Sequence, residues 1–300
     1  MKLIEETGSP DLATVFVAEL EDSELVEFVE SVQPPVPPEE KLVFIVSTLR
    51  GCPAGCIICD AGRRYRGRLT ADEMIRQIDF LMSRRFPDGI VPVRKMKIQF
   101  ARMGDPAYNP AVLDVLECLP GLYRAPGLMP CISTIAPSGT EGFFERLPGI
   151  KRRLYGNGMF QMQFSLHTTD ESARRHLVPV DTWTFREMSS WGEGFVESTD
   201  RRIALNFAPV AGYPLDPEVV AREFSPGSFM VKLTPVNPTR SVLERGLEGL
   251  IDPDDPGGSD ETAEAFRSLG FETIVSIGEL RENQIGSNCG MFVTDTLERC

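Results

Sequence analysis

The chain has 300 residues, of which 42% are hydrophobic, and it carries a formal net charge of −13. This length allows one large α/β domain or two small ones, and the composition is that of a globular protein with a sizeable core. The acidic charge argues against broad binding to a phosphate backbone, which depends on lysine and arginine. It leaves open a local basic loop. The arginines at 63, 64, 66 and 68 form either an anion-binding loop or simply a solvated one.

Targeting and redox features indicate a cytoplasmic protein. No run of about 18 apolar residues occurs, so no membrane span is predicted. The N-terminus, MKLIEETGSPDLA, does not resemble a secretory signal. The odd number of cysteines in so long a chain disfavours a disulfide framework and points to metal or thiol chemistry. The seven cysteines are Cys52, Cys56, Cys59, Cys118, Cys131, Cys289 and Cys300.

Strand-like and helix-like segments alternate after a proline-rich linker at 34–40. The helix at 70–85 has Thr70 as a possible N-cap, with Glu73 three residues later. The helix at 141–155 should be interrupted near Pro148, and 184–198 should be partly helical. The predicted strands are 41–48, 95–103, 128–136, 159–167, 201–210 and 228–236, and the other predicted helices are 110–119 and 217–224.

Six strand–helix steps predict parallel strands covered by helices, in the α/β class. Six are too few for a closed eight-stranded barrel, so a partial, open (β/α)6 barrel of the TIM type is expected. Its chemistry should gather at the carboxyl ends of the strands. We expect an N-terminal appendage with its linker at 1–40, the barrel at 41–240, and a C-terminal extension at 241–300 that carries Cys289.

The sequence GCPAGCIICDAG places three cysteines in the spacing C-x3-C-x2-C directly after the first predicted barrel strand. Three thiolates can ligate three irons of a 4Fe-4S cube and leave the fourth iron open. That iron could bind the amino and carboxylate groups of S-adenosylmethionine (SAM). The alternative is zinc, which usually needs a second cysteine pair or histidines. The chain offers only His167 and His176 for that purpose.

This motif and its position resemble the radical SAM superfamily. The resemblance implies a partial barrel in which a 4Fe-4S cluster on Cys52, Cys56 and Cys59 reductively cleaves SAM and yields a deoxyadenosyl radical. One position departs from the pattern. The residue before the last cysteine is commonly aromatic in that superfamily, whereas here it is Ile58.

Within the superfamily, residues 25–292 resemble the RlmN/Cfr family of RNA adenine methyltransferases. The similarity consists of ordered motifs, each of which would be weak alone. They are VSTLRGCPAGCIICDAG (46–62), MGDP (103–106), CISTIAP (131–137), FSLHTTDESARRHLVPV (164–180), KLTPVNP (232–238) and NCGMF (288–292).

The resemblance implies a role for each matching residue. Gly104 and Asp105 would meet the methionine end of SAM, where a carboxylate can pair with the ammonium. Cys289 would carry the methyl group, and Glu27 would act as the general base. The remaining predicted SAM-pocket residues are Ser133, Ser165, Leu166, His167 and Asn237.

Two features of the family are not matched. The family has a second reactive cysteine seven residues before the first cluster ligand, and that position is Ile45 here. The family's N-terminal RNA-binding domain has no counterpart in the forty residues before the first barrel strand. These gaps lead us to expect that nucleic acid is disfavoured as a partner.

The expected function is therefore a radical SAM transferase that modifies an unreactive carbon of a small molecule, peptide or protein, by methyl or methylene transfer through Cys289. Reduction of the 4Fe-4S cluster would need an electron donor such as flavodoxin or ferredoxin. One alternative is an RNA adenine methyltransferase of RlmN/Cfr type. Another is a non-catalytic iron–sulfur sensor or electron-transfer protein.

Overall fold

A sheet of ten strands runs through the molecule in the order β1-β2-β3-β4-β7-β8-β9-β10-β11-β12. The computed structural model describes residues 1–255, 257, 260–277, 281, 285, 292, 293 and 296. The strands are β1 Lys2–Ser9, β2 Ala13–Glu19, β3 Leu25–Ser31, β4 Leu42–Val46, β5 Leu49–Arg50, β6 Gly67–Arg68, β7 Met96–Phe100, β8 Leu128–Thr134, β9 Gln161–Ser165, β10 Ile203–Phe207, β11 Phe229–Leu233 and β12 Thr273–Val275.

Eight α-helices are described, and most of them lie between the parallel strands. They are α1 Ala71–Arg85, α2 Ala111–Leu122, α3 Glu141–Leu154, α4 Glu171–Leu177, α5 Phe185–Phe195, α6 Pro217–Glu223, α7 Arg240–Arg245 and α8 Asp260–Ser268. Thr70 caps α1 in a full capping box with Glu73, as the sequence predicts. Among the described residues, no helix has both the length and the apolar character that crossing a bilayer requires.

The six predicted barrel strands form as a parallel set, β4 and β7 to β11. Their outer face packs against the helices through large apolar side chains such as Phe44, Ile98 and Phe164. The partial barrel and the α/β class are thereby confirmed. A short seventh parallel strand, β12, pairs with β11 and was not predicted. Its three residues are too few to show a pattern of their own.

The N-terminal segment continues the sheet, which differs from the expected appendage. β1, β2 and β3 pair antiparallel with one another, and β3 then pairs antiparallel with β4. Because β2 and β3 are buried almost throughout, they have no solvent face to give a polar alternation. The proline-rich linker becomes the connection between β3 and β4.

Helix α3 continues through Pro148, where an interruption was expected, and α2 likewise contains Pro120. A proline removes the hydrogen bond to the carbonyl four residues earlier. Side chains supply the missing donors in both helices. The indole of Trp191 donates to the carbonyl of Phe144 at 3.0 Å, and the hydroxyl of Tyr155 donates to that of Leu116. Tertiary contacts thus offset most of the cost of each internal proline.

Candidate active site

The three clustered cysteines share one cavity of about 410 Å³ at the carboxyl ends of the barrel strands. Cys52, Cys56 and Cys59 are partly exposed free thiols that line its wall. Gly51 starts their loop with φ +82°, and a Cβ there would stand 1.4 Å from the carbonyl oxygen of Arg64. Only glycine permits this close approach of two backbone segments. The loop can therefore fold tightly around a bound group.

Asp60, directly after Cys59, ties this loop to helix α7. Its buried carboxylate accepts hydrogen bonds from the backbone of Arg240 at 2.9 Å and from the backbone and hydroxyl of Ser241 at 2.8 and 2.6 Å. On the other side of the loop, Ile57 donates its backbone N–H to the carbonyl of Leu177 at 2.9 Å. The thiols are therefore fixed by elements that lie far away in the sequence.

The cysteines fit a cluster better than a single ion. Burial is the largest cause that raises the pKa of all three thiols, and together with the charge of Cys59 it raises the pKa of Cys52 to about 12. Metal binding has to displace the three protons, which bound irons readily do. Among the described residues, no three His, Cys, Asp or Glu side chains are placed to share one metal ion. Each thiol can instead ligate its own iron of a cube, so this arrangement does not favour the zinc alternative.

Asp105 lies in the same cavity, as predicted, and its carboxylate is already partly satisfied. It accepts hydrogen bonds from Thr134 Oγ1 at 2.7 Å and from the backbone N–H groups of Ile135 and Ala107 at 2.7 and 2.9 Å. Burial nevertheless raises the pKa of Asp105 to about 6. A carboxylate has about four lone-pair sites, so one remains for an ammonium group. The neighbouring Gly104, at φ +88°, has no room for a side chain because Leu49 lies 2.4 Å from its Cβ position.

Four other predicted pocket residues also line the cavity, namely Ser133, Ser165, His167 and Asn237. His167 adopts φ +68°, and its buried Nδ1 has no hydrogen-bond partner. The buried Oδ1 of Asn206, another lining residue, is likewise unpartnered. Buried polar atoms without partners are rare in proteins and suit a site that receives a polar ligand. The residues present therefore fit SAM beside a cluster.

The side chain of Leu166 does not line this cavity. It is fully buried in the main hydrophobic core, while its backbone N–H donates to the carbonyl of Asn206 at 2.9 Å. Side chains alternate between the two faces of a strand, so the neighbours Ser165 and His167 face the cavity while Leu166 faces the helices. Its predicted place in the pocket is thus corrected to one in the core.

Polar lumen residues that the sequence reasoning missed complete the site. Gln99, Gln163 and Lys232 line the cavity from three different strands. Central parallel strands are normally apolar on both faces. Alternating polar residues in KMKIQF and QMQFS were therefore a usable signal of a polar lumen. Arg174 was missed as well. Its buried guanidinium donates to the carbonyls of Ile135 and Ser165 at 2.8 and 3.0 Å and holds two strand ends together.

Glu27 lies outside the cavity wall. Its fully buried carboxylate forms an ion pair of 2.7 Å with Arg102 and accepts the backbone N–H of Val293 at 3.0 Å. Burial raises the pKa of Glu27, while the charge of Arg102 opposes that rise. These contacts suit an anchor for the C-terminal segment. They do not suit the predicted general base, which would have to reach the substrate.

Cys289 falls outside the described residues, as does Cys300. Two described residues near Cys289, Ile285 and Phe292, pack in one apolar cluster with Ile45 and Val29. Ile45 itself lines the cavity that the cluster cysteines share. The position that holds a cysteine in the RlmN/Cfr family is thus part of the cavity wall.

Comparisons with known proteins agree with this geometry, although no protein-family model matches the chain. The probable dual-specificity RNA methyltransferase RlmN of Thermosynechococcus vestitus is 26% identical over 277 residues, which are 89% of this chain and 76% of the relative. The protein of the same name from Gemmatimonas aurantiaca is 26% identical over 304 residues, with 100% and 76% covered. In fold, a radical SAM methyltransferase from Sphaerobacter thermophilus matches with a TM-score of 0.73 at 20% identity, covering 97% of this chain and 80% of that one.

The fold and the cysteine loop, taken with these relatives, define the chain as a radical SAM enzyme of the transferase class, with a 4Fe-4S cluster and SAM as its cofactors. Within that class it is related to the RlmN/Cfr-type methyltransferases. The names of the relatives also correct one expectation. They are RNA methyltransferases, so the expectation that nucleic acid is disfavoured as a partner was wrong. Net charge is a property of the whole surface and does not exclude a local RNA contact.

Proposed function

We propose that this chain methylates an adenine base of RNA by the RlmN/Cfr route, with Cys289 as the methyl carrier. The observation that carries the proposal is the similarity, over nearly the whole chain, to proteins named as RNA methyltransferases. The cavity supports it, because its wall combines the cluster cysteines with Asp105 and Ile45. A modification of a small molecule, peptide or protein has no comparable support.

The residues divide the work between holding the cofactors and placing the substrate. Cys52, Cys56 and Cys59 would hold the cluster, which together with SAM supplies one-electron chemistry and a carbon-centred radical. Asp105 would accept a hydrogen bond from the ammonium group of SAM. His167 and Asn206 would offer their unpartnered polar atoms to the rest of that molecule.

In the RlmN/Cfr route the substrate becomes covalently attached to the methyl-carrying cysteine, and a second cysteine releases it. Release of that adduct here needs a group other than residue 45. The isoleucine there cannot exchange thiols, and two cysteines remain as candidates. Cys131 is buried at the same level of the sheet, because Ile45 pairs with Gln99 and Gln99 pairs with Cys131. Cys300 lies near the C-terminus, outside the described residues. Either thiol would need access to the adduct and some thiolate to react. Burial of Cys131 works against both conditions, because it encloses the thiol and raises its pKa.

A contact with RNA can form locally despite the acidic surface. Arg63 and Arg64 pair with Glu244 and Glu24, which fits the solvated-loop interpretation for those two. Within the part of the chain that the structure describes, the exposed side chains of Arg66 and Arg68 have no ion-pair partner. The neighbouring Tyr65 is 42% exposed. Exposed arginines beside an aromatic ring suit phosphate contacts and base stacking.

The test is an RNA methylation assay with the anaerobically reconstituted full chain, a reductant and SAM labelled in the methyl group. Transfer RNA and ribosomal RNA fragments should gain labelled methyladenosine, detected by mass spectrometry of the nucleosides. Cys289→Ala should abolish the product, whereas Cys118→Ala, at an exposed helix position, should not. If SAM is cleaved but no RNA gains label, the substrate assignment fails while the radical SAM class stands.

The same preparation tests the cluster and the sensor alternative. The wild type should bind about four irons and four sulfides per chain, and joint replacement of Cys52, Cys56 and Cys59 by alanine should remove them. A mere sensor would leave SAM intact upon reduction. We also propose a cytoplasmic location and reduction by a flavodoxin or ferredoxin.

A further inference from the structure

Four of the six lysines of this chain lie in the parallel strands of the barrel or directly before them. The sequence has six lysines, at positions 2, 41, 95, 97, 151 and 232. Lys97 and Lys232 lie within the parallel strands β7 and β11, and Lys41 and Lys95 directly precede β4 and β7. Lys95 and Lys97 precede Gln99 by four and two positions, and alternate residues of a strand point to the same face. They therefore lie on the same face as Gln99, which lines the cavity. A protein that is acidic overall thus has a cationic lumen.

Lys232 reaches the cavity that the cluster cysteines share. It pairs in the sheet with Asn206, another lining residue. In the described part of the chain, its ammonium group has no hydrogen bond, and no carboxylate lies within ion-pair distance of Lys95, Lys97 or Lys232. Lys97 donates only to the neutral side chain of Gln161, at 2.7 Å.

The surroundings of Lys232 are unfavourable for a positive charge. Burial, together with the neighbouring charges of Lys97 and Lys41, lowers the pKa of Lys232 to about 8. The nearby thiol of Cys131 offers little compensation, because its own burial raises the pKa of that thiol and keeps the proton on it. An enclosed cation without a counter-ion reduces the stability of the folded state. Such a cost is typical of binding sites, where the ligand supplies the missing charge.

Neutral donors line the same cavity as this cation. The amides of Gln99 and Gln163 line the same cavity and make no side-chain hydrogen bond among the described residues. Together with the ammonium group of Lys232, they present N–H donors from three strands to one space. A tetrahedral oxyanion has enough acceptor oxygens for all of them, and a second nearby cation, Lys97, favours more than one negative charge.

We propose that Lys232, with Gln99 and Gln163, binds a phosphate group at the lumen end of the cavity. The phosphate can belong to a nucleotide or be free inorganic phosphate, and both present the same charge and acceptors. The site lies in the same cavity as the proposed SAM pocket, on residues for which the proposed methyl transfer gives no role. It rests on contacts within the lumen and needs neither Cys289 nor an RNA substrate.

The experiment measures phosphate binding directly. Equilibrium dialysis of radiolabelled inorganic phosphate against the reconstituted full chain, at constant ionic strength, should show one saturable site. Lys232→Met should weaken that binding at least tenfold, and Lys2→Met, which removes an exposed lysine of β1, should leave it unchanged. Competition by AMP identifies whether the bound phosphate group belongs to a nucleotide or is free. If AMP displaces the labelled phosphate at least tenfold better than unlabelled phosphate does, the ligand is a nucleotide. If the two displace it equally well, the ligand is free phosphate.

A second measurement locates the site without relying on the variant. Six lysines are few enough for each acylation rate to be followed by peptide mass spectrometry. Phosphate should slow acylation of Lys232 and leave that of Lys2 unchanged. Absence of a saturable site, binding retained in Lys232→Met, or equal protection of both lysines would overturn the proposal.

Discussion

Asp105 illustrates how one residue serves both the fold and the site. Two of its three hydrogen bonds join the end of β7 to the end of β8, and the residue also lines the cavity. The MGDP motif predicted a pocket residue here, and Asp105 lies in the cavity wall. Its internal partners were not predictable, because Thr134 and Ile135 lie about thirty positions away in the chain.

We predict that Asp105→Asn weakens SAM binding by about tenfold to a hundredfold. The ammonium group would lose a charged partner worth about 1.5–3 kcal/mol, while the amide keeps the shape of the side chain. Isothermal titration of the cluster-loaded protein with SAM gives the dissociation constant. Asp114→Asn is the control, since Asp114 is exposed on α2. Equal constants for the wild type and Asp105→Asn would remove this carboxylate from the pocket.

His167 should make stability depend on pH. Burial and the charge of Arg174 lower the pKa of His167 to about 4 in the folded state, whereas the unfolded chain takes up the proton near pH 6.5. The unfolding free energy should therefore fall as pH decreases from 6.5 towards 4, by about 1.4 kcal/mol per unit.

His167→Asn isolates this effect, because asparagine tolerates the positive φ at this position and does not titrate. Urea denaturation at pH 7 and pH 5 should show that the wild type loses about 2 kcal/mol more than the variant. The other titrating groups are common to both proteins and cancel in the difference. If both lose the same amount, His167 is not a buried neutral imidazole.

The secondary structure could be read from the sequence where local chemistry determines it. Helix α1 has its capping box in Thr70 and Glu73, and the barrel strands are strongly apolar. Elements that depend on distant partners could not be read in this way. Helix α3 passes through Pro148, where Trp191 from another helix supplies the missing donor. β12 exists as a strand because β11 offers it an edge.

The tether between the cluster loop and α7 yields a prediction for Asp60→Ala. Three donors, from Arg240 and Ser241, would lose their acceptor, and each buried loss costs about 1–3 kcal/mol. We expect the variant to release iron to a ferrous chelator at least ten times faster than the wild type. Glu244→Gln is the control, because it removes only exposed ion pairs, one with Arg63 beyond the cysteine loop and one with Arg240 on α7. Equal release rates would show that the tether does not hold the loop.

The buried pair of Glu27 and Arg102 yields a second prediction at this scale. Glu27→Gln leaves Arg102 charged at 1% side-chain exposure, which should cost about 3–5 kcal/mol of unfolding free energy. Glu30→Gln, on the same strand, should cost less, because Glu30 faces Arg85 at 3.5 Å with part of its surface in water. Urea denaturation compares the two variants. A smaller loss for Glu27→Gln would contradict the role of an anchor.

At the scale of the whole molecule, the candidate site is assembled from distant parts of the chain. The cluster cysteines and Asp105 were identified from short motifs, because each motif keeps its own residues together. The packing of Ile285 and Phe292 against Ile45 was not predictable, since no local pattern connects positions some 240 residues apart. For the same reason the N-terminal strands were not recognised as part of the sheet.

The tether between Asp60 and Ser241 also bears on the order of events during synthesis. The ribosome completes the cysteine loop 181 residues before Ser241, the partner that fixes it. At elongation rates of about 5–20 residues per second, this interval lasts about 10–40 s. Throughout it the three thiols belong to a loop that is not yet fastened to α7. Iron can therefore reach an unfastened cysteine loop only until α7 has been synthesised. Iron that arrives later has to enter through the cavity of the folded chain.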